Sequence, residues 1–291
     1  MMRFNKWATI TLSAAFAISA FSISAGGQTT VLYNGALGAG NDTPDSAAEG
    51  SWLEYTAGAG SPTVSSSGGQ TTLDTTVGNL PDPPAPQPYS DEAGYSNYTP
   101  SQTLVNSNFP ALNPTPGFSV SFDVQILSET HGTNDTDTNR AGFDVIVLGS
   151  DKKGVELGFW TNDIWAQELN SNVFTRDPAE DSNIQRDSTA LDNTSLTHYT
   201  LTVIGSSYSL STGATNPVTI LTGSTHDYSS YTGTEPNPYS LTNFVFIGDD
   251  TMDADAKESF TDLAVVTVPE PATLSGLLAL GLVGLARRRR R

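Results

Sequence analysis

Apolar and polar residues alternate in short runs through most of this 291-residue chain, and clusters of Gly, Ser, Thr, Asn, Asp and Pro separate the runs. That texture predicts strands and turns rather than helices. The clearest run, Phe118–Leu127, places Phe118, Val120, Phe122, Val124 and Ile126 on one face. In Ala141–Leu148, Phe143, Val145 and Val147 point one way; in Gly154–Trp160, Val155, Leu157 and Phe159 oppose Glu156, Gly158 and Trp160. His198–Ile204 alternates in the same manner, and Tyr208–Leu210, Val218–Leu221, Phe244–Gly248 and Phe260–Val268 bring the set to at least eight strands. No stretch between the two ends of the chain carries helical periodicity over ten residues. Antiparallel strands at this spacing predict an all-β fold, a two-sheet antiparallel sandwich of the jelly-roll kind.

The first third is looser. Thr29–Tyr33, Trp52–Thr56 and Thr71–Val77 are strand candidates, interrupted by Pro- and Gly-rich tracts such as Leu80–Pro88, which reads as a polyproline-II excursion. Trp52, Tyr55 and Leu73 are too few to form a core of their own. A single sandwich over residues 26–268 is therefore expected, with a separate small N-terminal domain as the alternative. First and last strands often pair in such folds, so Thr29–Tyr33 is expected beside Phe260–Val268.

Both ends of the chain have a different texture. Arg3 and Lys6 precede an uncharged, largely apolar stretch, Trp7–Phe21, and then small residues at Ser22, Ser24 and Ala25. This pattern predicts a signal peptide over residues 1–25; an uncleaved anchor is the weaker alternative, because the apolar stretch is short and carries hydroxyls. At the other end, Pro269, Glu270 and Pro271 are followed by an uncharged run, Ala272–Ala286, and five arginines, Arg287, Arg288, Arg289, Arg290 and Arg291. Proline forbids continuation of a helix through the triplet and favours an extended backbone before it. The uncharged run would span about 22 Å as a helix at ~1.5 Å per residue. It is thus expected to form a short C-terminal transmembrane helix, stretched by snorkelling, with the arginines on the cytoplasmic side.

Removing these ends sharpens the charge. The chain has 13 basic and 31 acidic residues; without Arg3, Lys6, the five tail arginines and Glu270 it keeps 6 basic against 30 acidic, a net charge of −24. Such a surface repels phosphate backbones, which argues against a nucleic-acid partner, and suits weak binding of divalent cations. The chain has no cysteine, which excludes disulfides and thiolate–zinc sites.

The ordered tail, Pro-Glu-Pro, uncharged run and arginine cluster, resembles the PEP-CTERM sorting signal of bacterial exported proteins. That resemblance implies recognition and cleavage by a membrane transpeptidase of the exosortase type, with the secretion machinery as the earlier partner. It also implies a membrane tether before processing and a cell-surface or matrix destination afterwards. Further in, GFSVSFDVQIL, AGFDVIVLGSD, GVELGFW, YTLTVIGSSYSL and NFVFIGDDT follow the order found in concanavalin- and laminin-G-like jelly rolls. The region between the two ends is similar to the anchor-choice ectodomains that precede such tails. This similarity implies an adhesive, matrix or glycan-binding role and carries over no catalytic residue.

Candidate chemistry is sparse. Glu156 and Trp160 share a strand face on either side of Gly158, and Trp165 follows in TNDIWAQE. A ring beside a carboxylate, with glycine leaving room, can stack on a pyranose while the carboxylate accepts hydroxyl hydrogen bonds. The alternative is that Trp160 and Trp165 close one end of the core. Two loops are candidate calcium sites: Asp135, Asp137 and Asn139 alternate in NDTDTN, and Asp249, Asp250, Asp253 and Asp255 crowd GDDTMDAD. Solvated turn chemistry, in which Asp and Asn satisfy the backbone, is the alternative at both loops. No enzyme is expected. Glu156 reads as a carboxylate on a solvent face with Asp144 and Glu168 near it in sequence, and the Glu-x-Asp-x-x-Glu strand motif is absent. His131, His198 and His226 are scattered. Two further readings stay open: a polysaccharide-cleaving enzyme would place Glu156 roughly 5–9.5 Å from a second carboxylate across an open groove, and a passive spacer would bury both tryptophans.

Overall fold

The computed structural model describes residues 27–37, 42–46, 49, 52–57, 61–77, 92–131, 141–166, 191–228, 237–251 and 254–268. They form an all-β, two-sheet antiparallel sandwich. The larger sheet, of eight strands, runs β12 (Val218–Ser224), β11 (Ser207–Thr212), β10 (Thr197–Ile204), β6 (Phe118–His131), β15 (Ala254–Thr267), β4 (Gln70–Asp74) and β3 (Thr63–Ser67). Its eighth member, β1 (Gln28–Tyr33), pairs with the C-terminal half of β15, while β4 pairs with an earlier part of the same strand. The seven-stranded sheet runs β13 (His226–Asp227), β8 (Lys153–Phe159), β7 (Asp144–Leu148), β14 (Phe244–Asp249), β5 (Glu92–Ser96) and β2 (Leu53–Ala57), with β9 (Ile164–Ala166) also paired to β8.

The alternation legible in the sequence sets the core. Phe118, Val120, Phe122, Val124 and Ile126 of β6 and Tyr199, Leu201 and Val203 of β10 meet Val145, Val147, Val155, Leu157 and Phe159 of the other sheet. Phe122 stacks on Tyr199, with centroids 5.7 Å apart, and meets Phe159 edge-on at 6.0 Å. Phe122 therefore joins two strands of one sheet to a strand of the other. Phe122→Ala is expected to cost about 3–5 kcal/mol, since a buried ring is lost and the cavity cannot fully collapse; denaturant melts of the exported protein measure this directly.

Trp52 and Leu73 belong to this same core, and the Trp52 indole N–H donates to the Leu32 carbonyl at 2.8 Å. The expected pairing of first and last strands is present: Gln28 lies opposite Thr267 and Val31 opposite Ala264. The chain thus enters and leaves the sandwich at one point. Among the described residues no helix is long and apolar enough to cross a membrane. The expected signal peptide, the transmembrane helix and the Leu80–Pro88 tract lie outside the described residues.

Four strands are not evident in the sequence pattern: β3, β5, β9 and β13. β5 (EAGYS) has glycine at its centre, which normally weakens a strand. Here a Cβ on Gly94 would stand 2.3 Å from Phe246 Cζ, so the glycine makes room for a neighbouring ring. The β3–β4 hairpin turns through Gly68 and Gly69, both at positive φ (60° and 81°), which matches the twist of the strands it joins.

The outer face of the seven-stranded sheet departs from expectation. Ile146, Leu148, Phe244 and Phe246 are buried there under Tyr228 and Tyr239, in a second apolar cluster. Tyr239 sits in a short 3-10 turn, Pro238–Ser240, that begins where the Asn237 side chain accepts the Tyr239 N–H and proline takes the first position. The sheet therefore has two covered faces, and the outward residues of β7 and β8 in this region are not solvent-facing.

Candidate functional site

Strands β8, β7 and β14 lie side by side, and each strand or its immediate extension supplies one outward carboxylate. Asp144 lies opposite Gly158 on β8 and opposite Gly248 on β14, so no side chain flanks it in register on either neighbouring strand. Glu156, opposite Ile146, and Asp250, just past the end of β14, are its diagonal neighbours. One carboxylate oxygen from each of Asp144, Glu156 and Asp250 lies within 4.8 Å of the others.

Two of the three carboxylates are shielded from water, and Asp250 is half-buried. Glu156 is 0 % exposed and Asp144 2 %. This corrects the expectation of an ordinary solvent-facing Glu156. Alternation sends Glu156 away from the core as expected, but the turn bearing Tyr239 covers that face. The Tyr239 hydroxyl donates to Glu156 Oε2, and the Glu156 backbone N–H donates to the Tyr228 hydroxyl at 3.3 Å. Burial, then the charges of Asp250 and Glu156, hold the Asp144 carboxyl well above the usual carboxylate range. Burial, then Glu156 and Asp250, push the Tyr239 phenol up in the same way.

The two tryptophans lie beside this cluster. Trp165 pairs with Gly158 across β8 and β9 and is 1 % exposed. Its ring lies over the glycine, since a Cβ there would stand 2.8 Å from Trp165 Cζ2. Trp160 meets Trp165 edge-on, with centroids 4.6 Å apart, and keeps part of its surface open to solvent. The turn between them is pinned by Asn193, whose Nδ2 donates to the Trp160 carbonyl at 2.6 Å and to the Asp163 carbonyl at 3.1 Å. Its Oδ1 accepts the Tyr199 hydroxyl at 2.6 Å, tying the turn to the core aromatics. The sequence predicts Glu156, Trp160 and Trp165 as neighbours; the structure brings them together with Trp165 as wall rather than platform.

The carboxylates of the Gly248–Asp255 loop diverge. Asp249 turns inward, where Thr75 Oγ1 donates to its Oδ2 at 2.6 Å, and Asp250 turns outward to Asp144 and Glu156. Asp255 lies on β15, with Thr130 Oγ1 at 3.4 Å from its Oδ2. Asp253, the Asp135, Asp137 and Asn139 loop, and the tail residues Pro269, Glu270, Pro271 and Arg287–Arg291 lie outside the described residues.

Sequence reasoning missed Asp144 as a cluster member, Tyr239 and Asn193. Asn-Pro before Tyr239 is a turn signal that could have drawn attention to that residue. Nothing in the local pattern shows that the turn folds onto Glu156. Asn193 stands in an Asn-x-Ser motif whose ordinary reading is a glycan acceptor, whereas here its side chain is committed to three hydrogen bonds.

Solved structures similar to this chain include a carbohydrate esterase from Shiga toxin-encoding bacteriophage phi24B, at 12% identity, TM-score 0.46, and coverage of 83% of this chain and 100% of that one. They also include the alginate lyase from Klebsiella pneumoniae, at 8% identity, TM-score 0.35, and coverage of 71% and 84%. Lectin I-B4 from Griffonia simplicifolia, in its metal-free form, is a third, at 11% identity, TM-score 0.37, and coverage of 82% and 98%. No curated protein matches the chain in sequence. Residues 267–291 match the family model of the PEP-CTERM protein-sorting motif, beginning at the last residue of β15. The chain therefore ends in a PEP-CTERM signal, which implies export and processing at the membrane by an exosortase.

Proposed function

We propose that the processed protein is an adhesive or structural component of an extracellular polysaccharide matrix, and that it contacts glycan at the Trp160 corner of the seven-stranded sheet. The observation that carries this reading is the part-open Trp160 ring braced against buried Trp165, next to the buried carboxylates. A braced ring loses little rotamer freedom when a pyranose stacks on it, which favours weak, repeated contacts with a polymer. The same observation weighs against a passive spacer, which would have both rings buried.

No catalysis is part of this reading. A glycosidase needs an open groove in which substrate can pass between its acid and its base. Asp144 and Glu156 instead bring carboxylate oxygens within 4.8 Å of each other, and both residues are shut from solvent. Incubation with acidic and neutral polysaccharides is expected to release no new reducing ends or unsaturated products.

A glycan array with the processed exported protein tests the binding reading. Binding to at least one polysaccharide class is expected, weakened about tenfold or more in Trp160→Ala, which corresponds to ~1.4 kcal/mol. Wild-type silence across the array, or undiminished binding by Trp160→Ala, would remove Trp160 as the contact.

A further inference from the structure

We infer that Asp144, Glu156 and Asp250 form a site for a single hard divalent cation, with calcium as the ion that tests it. This inference is independent of the glycan reading and shares only Asp250 with the two acidic loops evident in the sequence. Two observations carry it. The first is spacing: the three oxygens lie within 4.8 Å of one another. Oxygens bonded to one calcium ion at ~2.3–2.6 Å are separated by no more than about 4.6–5.2 Å, so the spacing admits a single ion of that size. The second is Asp144 itself: it is 2 % exposed, its carboxyl meets that of Asp250, and its Oδ1 is buried with no hydrogen-bond partner among the described residues. A buried carboxylate oxygen without a donor is costly, and a cation would supply the missing contact.

The fold explains why the ligands converge. They come from three neighbouring strands or their ends, with Asp144 flanked in register by Gly158 and Gly248, so its carboxylate has neighbours only along the diagonals. The donor set is oxygen only, which suits a hard ion rather than zinc or copper. Glu156 is held by the Tyr239 hydroxyl, an outer contact that orients a ligand carboxylate. Bound calcium would tie the segment after β14 to β7 and β8, beneath the turn bearing Tyr239 and next to Trp165. The site is thus placed to rigidify the corner that presents Trp160.

The test uses the processed exported protein, stripped with EDTA and titrated with calcium, and separately with terbium, whose emission is sensitised by a nearby tyrosine or tryptophan. Saturating calcium is expected to raise Tm by about 5–10 °C, as ligand linkage predicts for a domain of this size. Terbium emission excited through aromatic residues is expected to appear with one ion per chain and to be displaced by calcium. Asp144→Asn is expected to lose both responses while melting, in EDTA, no lower than the stripped wild type, because it replaces one of three crowded carboxyls by an amide of the same size. Asp255→Asn, on β15, is expected to keep both. The inference is overturned if calcium leaves the wild-type Tm unchanged and terbium stays dark. It is equally overturned if Asp144→Asn keeps the full response, or if Asp255→Asn loses it while Asp144→Asn does not. Metal binding is read here without any glycan, so a silent glycan array leaves this result standing, and the converse holds.

Discussion

Replacing Pro269, Glu270 and Pro271 together by alanine is expected to leave the protein uncut at its C-terminus and held in the membrane fraction. The physical reason begins at the fold. Strand β15 stays paired up to Thr267, opposite Gln28, and the Val268 N–H donates to the Gly117 carbonyl at 3.4 Å. The Pro-Glu-Pro triplet therefore follows directly in sequence on the last of the described residues, Val268. Proline at two of the three positions disfavours a helix there and favours an extended backbone, a form an enzyme can grip as a strand. Alanine at all three positions removes the restriction and lets the uncharged run that follows extend a helix back toward the sandwich. Membrane fractionation with intact-mass measurement of the released chain decides the matter. The wild type is expected to lose the arginine cluster, and the variant is expected to keep it in nearly all molecules. An identical processed mass in both would show that the triplet is not what the enzyme reads. Changing the five arginines to glutamine is expected to have a different effect, because it removes the positive-inside stop while leaving the triplet in place.

The second large effect is expected at Glu258, on β15. This residue is 0 % exposed, lies opposite Leu73 and Ile126 in the eight-stranded sheet, and neither of its carboxyl oxygens meets a hydrogen-bond partner on another described residue. Burial, and after it the charge of Asp74, hold its carboxyl well above the ordinary range. Across the sandwich, Asp249 is raised too, by burial first and with Glu258 among the charges that raise it. An unfolded glutamate releases its proton near pH ~4.3, while the folded one still holds it. Between those two pKa values the unfolded chain binds fewer protons, so stability falls as pH rises through that window and is fully present below it. Glu258→Gln keeps the shape without the ionisation. The variant is expected to match the wild type near pH 4 and to exceed it by about 1–3 kcal/mol near pH 8, the usual cost of an unpaired buried polar group. Thermal melts across pH 4–8 in EDTA measure this, with each kcal/mol worth roughly 2–4 °C in a domain of this size. A variant less stable than the wild type at pH 8 would mean that the ionised carboxylate is stabilised by contacts other than those seen here.

Much of the architecture was legible residue by residue. The alternation in Phe118–Leu127, Gly154–Trp160 and His198–Ile204 assigned the core-facing side chains correctly, because a period of two leaves each residue only one of two faces. The strands it missed lack that signal: β5 carries Gly94 at its centre to admit the Phe246 ring, and β9 and β13 are only three and two residues long. The site was half legible. Glu156, Trp160 and Trp165 are close in sequence, and strand geometry alone brings them together. Asp144, Asp250 and Tyr239 join them through strand order, which no local pattern records.

The sequence by itself determined the all-β class, the inward face of each long strand and the sorting tail, since these follow from local periodicity, proline geometry and charge order. Tertiary structure decided whether an outward face meets water. Glu156 points away from the core either way, but only the return of the chain through Tyr228 and Tyr239 buries it. Only the adjacency of β8, β7 and β14 sets it against Asp144 and Asp250. Contacts between residues many tens of positions apart depend on how the sheet is assembled, and that assembly turns three ordinary acidic residues into one cluster.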